Sequence, residues 1–390
     1  MPKNLLLLLL LIFGIAANAQ QTYTITGIVT DEKDAPIPGA TVFLGDSRKA
    51  AATDASGQFV LERVQYGNYT LVVKMMGYVI LEHDLTLQKD MRFRFKLHED
   101  NIELKTVNIS AISTADRKTY LEIFIKNFLG SSANAARCRI LNTDVIKLQF
   151  NKRTNILKAT SDDFIVIENK ALGYRMKYLL TEFRYDRSSA DNTVIGFRGT
   201  LLFEDLPGSP RQLRNWEKER LNTYLGSVPH FFSSAFSNSL EKNGFLVYQT
   251  PDKYRLANTL RQGRLISREF SKPLTSLKPF LTEIDSNVKQ IDLDRLQKDS
   301  TDLYVVYTPK DEPADYLKIA GSIARTLDRP AGQTSVMHPL QPRMIFGKYG
   351  NITPTNGVLL SGYWAWGQMS AFLPSDYTLP PGTVLPVRKK

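Results

Sequence analysis

The stretch "AATDASGQFVL", residues Ala51–Leu61, decides how the N-terminal part of this chain is interpreted. Asp54 can accept a hydrogen bond from the backbone N–H two residues further on, and Gly57 can adopt a positive φ without steric cost. Phe59 then begins an apolar run whose alternate residues face one side of a strand. The motif Thr53-Asp54-x-x-Gly57-x-Phe59 therefore predicts a turn that leads into a core-facing strand, rather than a binding site.

The residues on both sides of this turn repeat the same pattern from Thr22 to Leu97. Short alternating apolar runs are separated by Gly, Pro, Asn and Asp, which favour turns. These runs are "YTITGIVTD", "ATVFLGD", "GQFVLERV", "GNYTLVVKMMGY", "LEHDLTL" and "MRFRFKL". Their spacing predicts an all-β sandwich of the immunoglobulin or transthyretin kind, with about seven strands.

Five short elements in this region, taken in order, resemble the carboxypeptidase-regulatory-domain family, a transthyretin-like β-sandwich. They are Gly27-x-Val29-x-Asp31, Pro38-Gly39-Ala40-x-Val42, Thr53-Asp54-x-x-Gly57-x-Phe59, Gly67-x-Tyr69 and Gly77-Tyr78. In metallocarboxypeptidases this module is an accessory to a separate catalytic domain, so the resemblance implies no peptidase activity. In the Bacteroidota such modules often precede the plug of outer-membrane receptors, which implies a place in the cell envelope.

Residues 1–19 have the pattern of a secretory signal peptide. Lys3 supplies the positive charge, Leu5–Ile15 form a short apolar core, and Ala17-Asn18-Ala19 is a small-x-small cleavage site. The mature chain is expected to begin at Gln20. The apolar core is shorter than the roughly 20 residues of a membrane-spanning helix, although an uncleaved anchor is the alternative. We expect an exported protein in the periplasm or at the outer membrane, without a transmembrane segment in the mature chain.

Composition limits the classes of partner and of stabilising chemistry. The chain has 50 Lys and Arg against 39 Asp and Glu, a net charge of +11, but its basic residues are spread along the sequence. That charge fits an anionic envelope surface or acidic glycans, or serves solubility alone, and no nucleic-acid partner is expected for an exported chain. Cys138 is the single cysteine, so no intrachain disulfide can form, and we expect it to be a small buried side chain.

A second domain is predicted over residues 116–390, after the sandwich of residues 20–98 and a linker at 99–115. "RKTYLEIFIKNFLG" (Arg117–Gly130) has apolar residues at helical spacing. Helices are also predicted in "SPRQLRNWEKERLNTYLGS" and in "HFFSSAFSNSLEKNG", which ends at Gly244. Strands are predicted in "DVIKLQFN", "ILKATS", "FIVIENKALGYRMKYLLTEFRYDR", "NTVIGFRGTLLFEDL", "FLVYQT", "TDLYVVYTP" and "VLLSGYWAWGQMSAFLP". The pattern favours an α+β domain with mostly antiparallel sheet.

Trp216, Arg220 and Tyr224 follow one another at four-residue spacing, which places them on one stripe of a helix. An exposed Trp–Arg–Tyr stripe can stack on a sugar or pair with a carboxylate. Packing of both aromatic rings into the core is the favoured interpretation. The surrounding segment, Arg214–Phe232, resembles a stretch of uncharacterised Bacteroidota envelope proteins that carry the same N-terminal sandwich, and this resemblance implies no activity.

Trp364 and Trp366 stand two residues apart near the C-terminus, so in a strand they share one face while Tyr363 takes the other. Exposed, the two tryptophans form a platform for a glycan or a protein; buried, they belong to the core. Core is the favoured interpretation. Together with the helical stripe and His230, they form the candidate ligand cluster Trp216, Arg220, Tyr224, His230, Trp364 and Trp366.

Motifs for catalysis, metal binding or a cofactor are sparse. The four histidines, His83, His98, His230 and His338, show no metal-ligand spacing, and "HEDNIE" lacks the second histidine of a zinc-protease motif. We therefore expect no metal and no cofactor. "DLDRLQKDSTD" (Asp292–Asp302) lacks the glycine and final glutamate of a calcium-binding EF-hand loop and is interpreted as a solvated acidic helix edge or turn.

Three functional hypotheses follow. The leading one is a non-catalytic cell-envelope protein that binds an envelope protein or a glycan, or has a structural role. A second is an assembly factor for an outer-membrane machine, with the sandwich as its docking part. The third is an envelope hydrolase of unfamiliar type with a site near Arg220, Ser227 and His230, because a hydroxyl and an imidazole stand close together there in sequence.

Overall fold

The computed structural model describes residues 22–100, 114–188, 193–250, 273–274, 276–297, 302–320, 331–353 and 357–386. The expected signal peptide and most of the expected linker lie outside the described residues. The described chain divides into two compact units, one within residues 22–43 and 49–100 and the other within 44–48 and 114–386. In the described part of the chain, no helix is both long enough and apolar enough to span a membrane.

The first unit is a β-sandwich of seven strands. They are β1 (Thr22–Thr30), β2 (Thr41–Leu44), β3 (Ala50–Ala52), β4 (Gln58–Gln65), β5 (Gly67–Lys74), β6 (Leu81–Leu87) and β7 (Met91–Lys96). One sheet has the order β4-β1-β7, in which β1 is antiparallel to β4 and parallel to β7. The other sheet has the order β3-β2-β5-β6. The predicted sandwich is confirmed.

The turn before β4 fixes the entry of that strand into the core. The Asp54 carboxylate accepts backbone N–H bonds from Ser56 and Gln58, both at 2.9 Å, and the side-chain bond from Ser56 holds the pKa of Asp54 below its usual value. Gly57 has a φ of +73°, and Phe59 is buried in the strand that follows. Thr53 adds a buried bridge, since its hydroxyl accepts from the Ala40 N–H and donates to the Ile37 carbonyl. All four motif residues therefore serve the fold.

The long segment of the second unit, from residue 114 onward, opens with helix α1 (Thr114–Leu129) and a six-stranded sheet. The strands are β8 (Cys138–Ile140), β9 (Ile146–Asn151), β10 (Ile156–Ser161), β11 (Ile165–Asn169), β12 (Tyr174–Asp186) and β13 (Val194–Asp205). Their order is β8-β11-β12-β10-β9, with β13 paired to β12, and all five neighbouring pairs are antiparallel. Phe124 and Phe128 of α1 bury their rings on this sheet; Phe124 lies 4.8 Å from Phe183.

Two four-stranded sheets complete the second unit, with the orders β14-β17-β18-β21 and β15-β16-β19-β20. The strands are β14 (Phe245–Thr250), β15 (Leu281–Asp285), β16 (Val288–Asp292), β17 (Asp302–Tyr307), β18 (Gln333–Pro339), β19 (Arg343–Gly347), β20 (Ile352–Thr353) and β21 (Val358–Gly362). The helices are α2 (Pro210–Tyr224), α3 (Val228–Phe236), α4 (Leu293–Gln297), α5 (Ala314–Ala320) and α6 (Tyr363–Trp366). The predicted α+β class with mostly antiparallel sheet is confirmed.

Phe231 and Phe232 of α3 anchor the core of these two sheets, together with Phe245, Tyr307 and Phe346. Full burial of one such ring stabilises a fold by roughly 1.5–3 kcal/mol. The helix that holds them is shorter than predicted: it ends at Phe236, not at Gly244, because Asn238 takes a positive φ of 50° and the chain continues in turns.

Candidate functional site

Trp216 packs against the turn between β11 and β12. Its indole N–H donates to the Lys170 carbonyl at 3.1 Å, and the side chain is buried. The ring lies so close to the backbone of Gly173 and Gly208 that a Cβ on either glycine would come within 2.2–2.5 Å of it. Trp216 is therefore part of the core, as the favoured interpretation predicts, and it is not available to a surface ligand cluster.

Arg220, one helical turn further along α2, holds the same turn. Its Nε donates to the Leu172 carbonyl at 2.7 Å, and its Nη2 donates to the Gly173 carbonyl at 3.1 Å and to Asp205 at 2.8 Å. The guanidinium carbon also lies 3.9 Å from the centre of the Tyr174 ring. The guanidinium of Arg220 thus makes hydrogen bonds along its edge and stacks one face on the Tyr174 ring.

His230 and Tyr224 are both buried, so their exposure in a surface cluster is also contradicted. His230 Nδ1 accepts from the Gly226 N–H at 3.1 Å, which requires a neutral ring. Burial, with a smaller contribution from Lys310, lowers the pKa of His230 to about 3. The Ser227 hydroxyl accepts from the backbone N–H of His230 as the N-cap of α3, rather than from its ring. Arg220, Ser227 and His230 therefore do not form the hypothesised hydrolase site.

The two C-terminal tryptophans do not share a strand face, because β21 ends at Gly362 and the chain turns into α6. Gly362 has a φ of +71°, and the Trp364 N–H is held by the Ser335 hydroxyl at 3.0 Å. The Trp364 indole N–H donates to the Gly226 carbonyl at 2.7 Å, while Trp366 packs 5.5 Å from Tyr316. Both tryptophans are half-buried and point to different neighbours. The structure therefore brings part of the candidate ligand cluster together: the ring centres of Tyr224 and His230 lie 5.1 Å apart, and Trp364 bonds the same Gly226 backbone as His230. Trp216 and Trp366 have other packing partners, Lys170 and Tyr316 respectively.

Asp302, the last residue of the acidic segment, is not solvated as predicted. It begins β17 and is buried, and its carboxylate Oδ1 lies 2.7 Å from Nδ1 of His338 in β18. Nε2 of the same imidazole lies 3.1 Å from the Ser361 hydroxyl in β21. A carboxylate, an imidazole and a hydroxyl therefore stand in a chain on three neighbouring strands. Among the described residues, no group of three His, Cys, Asp or Glu side chains is arranged to hold a metal ion.

This arrangement follows from strand register. Leu303 pairs with Met337 and Val336 pairs with Ser361, so Asp302 stands opposite His338, and Ser361 lies on the diagonal. The sequence contains no motif for these residues, since 36 and 23 positions separate them along the chain. The segment "TDLYVVYTP" was predicted as a strand, but its partner strand was not predicted.

The N-terminal region is similar to known domains. A family model described as CarboxypepD_reg-like domain matches residues 25–109, which confirms the resemblance of the first unit. The unit is thus a sandwich module of a kind that serves structural or binding roles. No curated protein matches the chain.

Three solved structures each match between 20% and 28% of the chain. A type II cohesin–X-dockerin complex from Acetivibrio cellulolyticus is 21% identical over 28% of this chain and 76% of that chain, with a TM-score of 0.20. A 3-chlorocatechol 1,2-dioxygenase from Rhodococcus opacus is 12% identical over 21% and 60%, with a TM-score of 0.18. A pilus 2b backbone protein of group B streptococcus is 17% identical over 20% and 40%, with a TM-score of 0.18. At these TM-scores the likeness carries no conclusion about function.

Proposed function

We propose that the chain is an exported cell-envelope protein whose N-terminal sandwich binds an acidic surface of a partner protein. The observation that supports this is strand β7. Within the described sheet it pairs with β1 alone, and its alternation turns Phe95 inward while Arg92, Arg94 and Lys96 are exposed. Lys96 also pairs with Asp34 at 2.9 Å.

The neighbouring strand makes this surface continuous. Arg92 and Arg94 stand opposite Thr26 and Ile28 of β1, and Val60 of β4, opposite Thr26 on the other side, is half exposed. The outer face of the sheet therefore carries a basic row beside a row of small polar and apolar side chains. Lysine and arginine on an edge strand have a second possible role, because they discourage aggregation through strand pairing. The binding proposal is therefore supported only if changing these charges alters the capture of one particular partner protein.

Charge reversal tests the binding surface. The variant Arg92→Glu/Arg94→Glu is compared with Lys33→Glu/Lys89→Glu, which changes the same net charge at exposed turns of the same unit. Both chains are cross-linked in intact cells of the native host, and the captured envelope proteins are quantified. The proposal is supported if one acidic protein is captured by the Lys33/Lys89 variant and is no longer captured by the Arg92/Arg94 variant. Equal capture by both variants, or no specific protein, overturns it.

Location is tested separately by fractionation. The proposal expects the protein in the periplasm or with the outer membrane, with a mature N-terminus at Gln20 and a net charge one lower than that of the full chain, at +10, because Lys3 is removed. Intact-mass analysis of the recovered protein measures the cleavage position. Recovery of the full-length chain from the cytoplasm contradicts export, whatever the charge-reversal variants show.

A further inference from the structure

We propose that Ser361, His338 and Asp302 form a nucleophilic serine site in the second unit, which hydrolyses esters with a short apolar acyl group. Activation of a serine needs a base within about 2.6–3.2 Å of the hydroxyl and a third group that orients the base. The 3.1 Å contact of Ser361 with Nε2 and the 2.7 Å contact of Asp302 with Nδ1 meet both distances.

The two neighbours of His338 decide which nitrogen of the neutral imidazole carries the proton. A carboxylate beside Nδ1 favours the tautomer with a proton on that nitrogen, which leaves Nε2 as an acceptor for the Ser361 hydroxyl. The Asp302 side chain is nearly inaccessible to solvent, whereas the His338 side chain is 23% exposed. The row of three side chains therefore extends from the interior towards solvent. Asp302 Oδ1 lies within ion-pair distance of His338 Nδ1, but the two groups are not aligned as a hydrogen bond. Catalytic hydrogen bonds are often poorly aligned without substrate and become shorter and better aligned when it binds.

The backbone presents the serine at a sharp bend. Ser361 is the second-last residue of β21, and Gly362 turns the chain with positive φ into α6. A Cβ at Gly362 would lie 2.7 Å from the Thr334 carbonyl, so only glycine fits there. A serine at a strand-to-helix turn is also how other hydrolases expose a nucleophile, although this chain lacks their G-x-S-x-G motif.

The side chain that stands opposite His338 indicates the substrate class. Leu359 pairs with His338 and lies two residues before Ser361, so it shares their face of the sheet. It is 46% exposed, which leaves an apolar surface beside the hydroxyl. An acyl chain of a few carbons can cover this surface when its carbonyl carbon meets Ser361.

The reaction balances with water as the second substrate. As Ser361 Oγ bonds to the carbonyl carbon, its proton passes to His338 Nε2. The bond from that carbon to the alcohol oxygen then breaks, and the alcohol leaves with the proton from Nε2. Water attacks the acyl-serine, giving one proton to His338, which returns it to Oγ as the carboxylic acid leaves. Asp302 acts as a positioning residue that keeps the proton of the resting imidazole on Nδ1.

The full-length mature chain is tested with a fluorophosphonate probe, which labels activated serines, and with p-nitrophenyl butyrate. We expect labelling at Ser361, its loss in Ser361→Ala, and rates at least about 100-fold lower in His338→Gln and Asp302→Asn, the range of a lost general base. Asp302→Glu keeps a carboxylate and should keep more activity than Asp302→Asn. Ser286→Ala, at an exposed turn away from the three strands, is the matched control and should label like the wild type.

Tryptophan fluorescence during urea unfolding shows which variants are folded, and rates are compared only among those. No labelling of the wild-type chain, at probe concentrations that label a known serine hydrolase in the same tube, overturns the proposal. Labelling that persists in Ser361→Ala overturns it as well. Labelling of Ser361 at equal rates in wild type and a folded His338→Gln also overturns it, because the imidazole then does not activate the serine.

Discussion

Gly57 combines a positive φ with a close backbone approach. A Cβ there would lie 2.5 Å from the Val29 carbonyl, whereas at Gly39, with a φ of +76°, nothing lies within 4 Å. Both alanine substitutions strain the backbone by about 1 kcal/mol, and only Gly57→Ala adds a clash. We expect Gly57→Ala to lower the free energy of unfolding more than Gly39→Ala.

Unfolding followed by far-UV circular dichroism measures this difference. All three tryptophans, at 216, 364 and 366, lie in the second unit, so tryptophan fluorescence in the same samples serves as an internal control. Equal destabilisation by the two substitutions would show that the approach to Val29 has no energetic weight.

The buried imidazole of His230 should make the second unit sensitive to acid. Its pKa is about 3 in the folded protein, so as pH falls below about 6.5 the unfolded chain takes up a proton that the folded chain does not. The free energy of unfolding therefore decreases as the pH is lowered from about 6.5 to about 3, by up to about 1.4 kcal/mol per pH unit for one group. His230→Gln cannot titrate, so the stability difference between wild type and variant should shrink from pH 7 to pH 4.

Urea titrations monitored by tryptophan fluorescence at several pH values test the His230 prediction. Other titrating groups are common to both proteins and cancel in the difference. Parallel stability curves for the two proteins would contradict it.

At the scale of elements, Arg220 joins helix α2 to the turn between β11 and β12. Its bonds to the Leu172 and Gly173 carbonyls satisfy backbone groups of that turn. A hydrogen bond that involves a charged group contributes about 1.5–3 kcal/mol. We expect Arg220→Met to destabilise the second unit by about that amount, and Arg214→Met, at an exposed position on the same helix, to be nearly neutral. Urea denaturation followed by tryptophan fluorescence compares the two variants. Similar unfolding midpoints would show that the bonds from Arg220 to the turn do not stabilise the second unit.

Elements with a strong local pattern could be predicted from the sequence. The turn at Asp54 and Gly57 and the helix at Phe124 and Phe128 depend on residues within one or two turns of chain. The burial favoured for Trp216 is likewise observed; it followed from the four-residue spacing that places Trp216 and Tyr224 on one helical stripe.

The remainder depends on contacts that local sequence does not encode. Helix α6 replaces the predicted strand because Gly362 turns the chain and the Ser335 hydroxyl, from another strand, holds the Trp364 N–H. The meeting of Asp302, His338 and Ser361 depends on the register of three strands, which the pattern within each strand leaves open. Proximity in sequence pointed instead to Ser227 and His230, where the hydroxyl caps a helix.

At the scale of the whole molecule, stability rests on packed cores, because a single cysteine permits no intrachain disulfide. Cys138 is partly buried and its thiol donates to the Asn134 carbonyl at 3.4 Å. Burial raises the pKa of this thiol to about 12, which reduces the reactive thiolate at neutral pH by on the order of 10³ relative to a free cysteine.

The folded chain should therefore react that much more slowly with a thiol reagent, and its unfolding midpoint should be the same with and without reductant. The urea-unfolded chain, which should react at the rate of a free cysteine, is the control. Rapid labelling of the folded protein would contradict the burial of this thiol, and a reductant-dependent midpoint would show that a disulfide between chains contributes to stability.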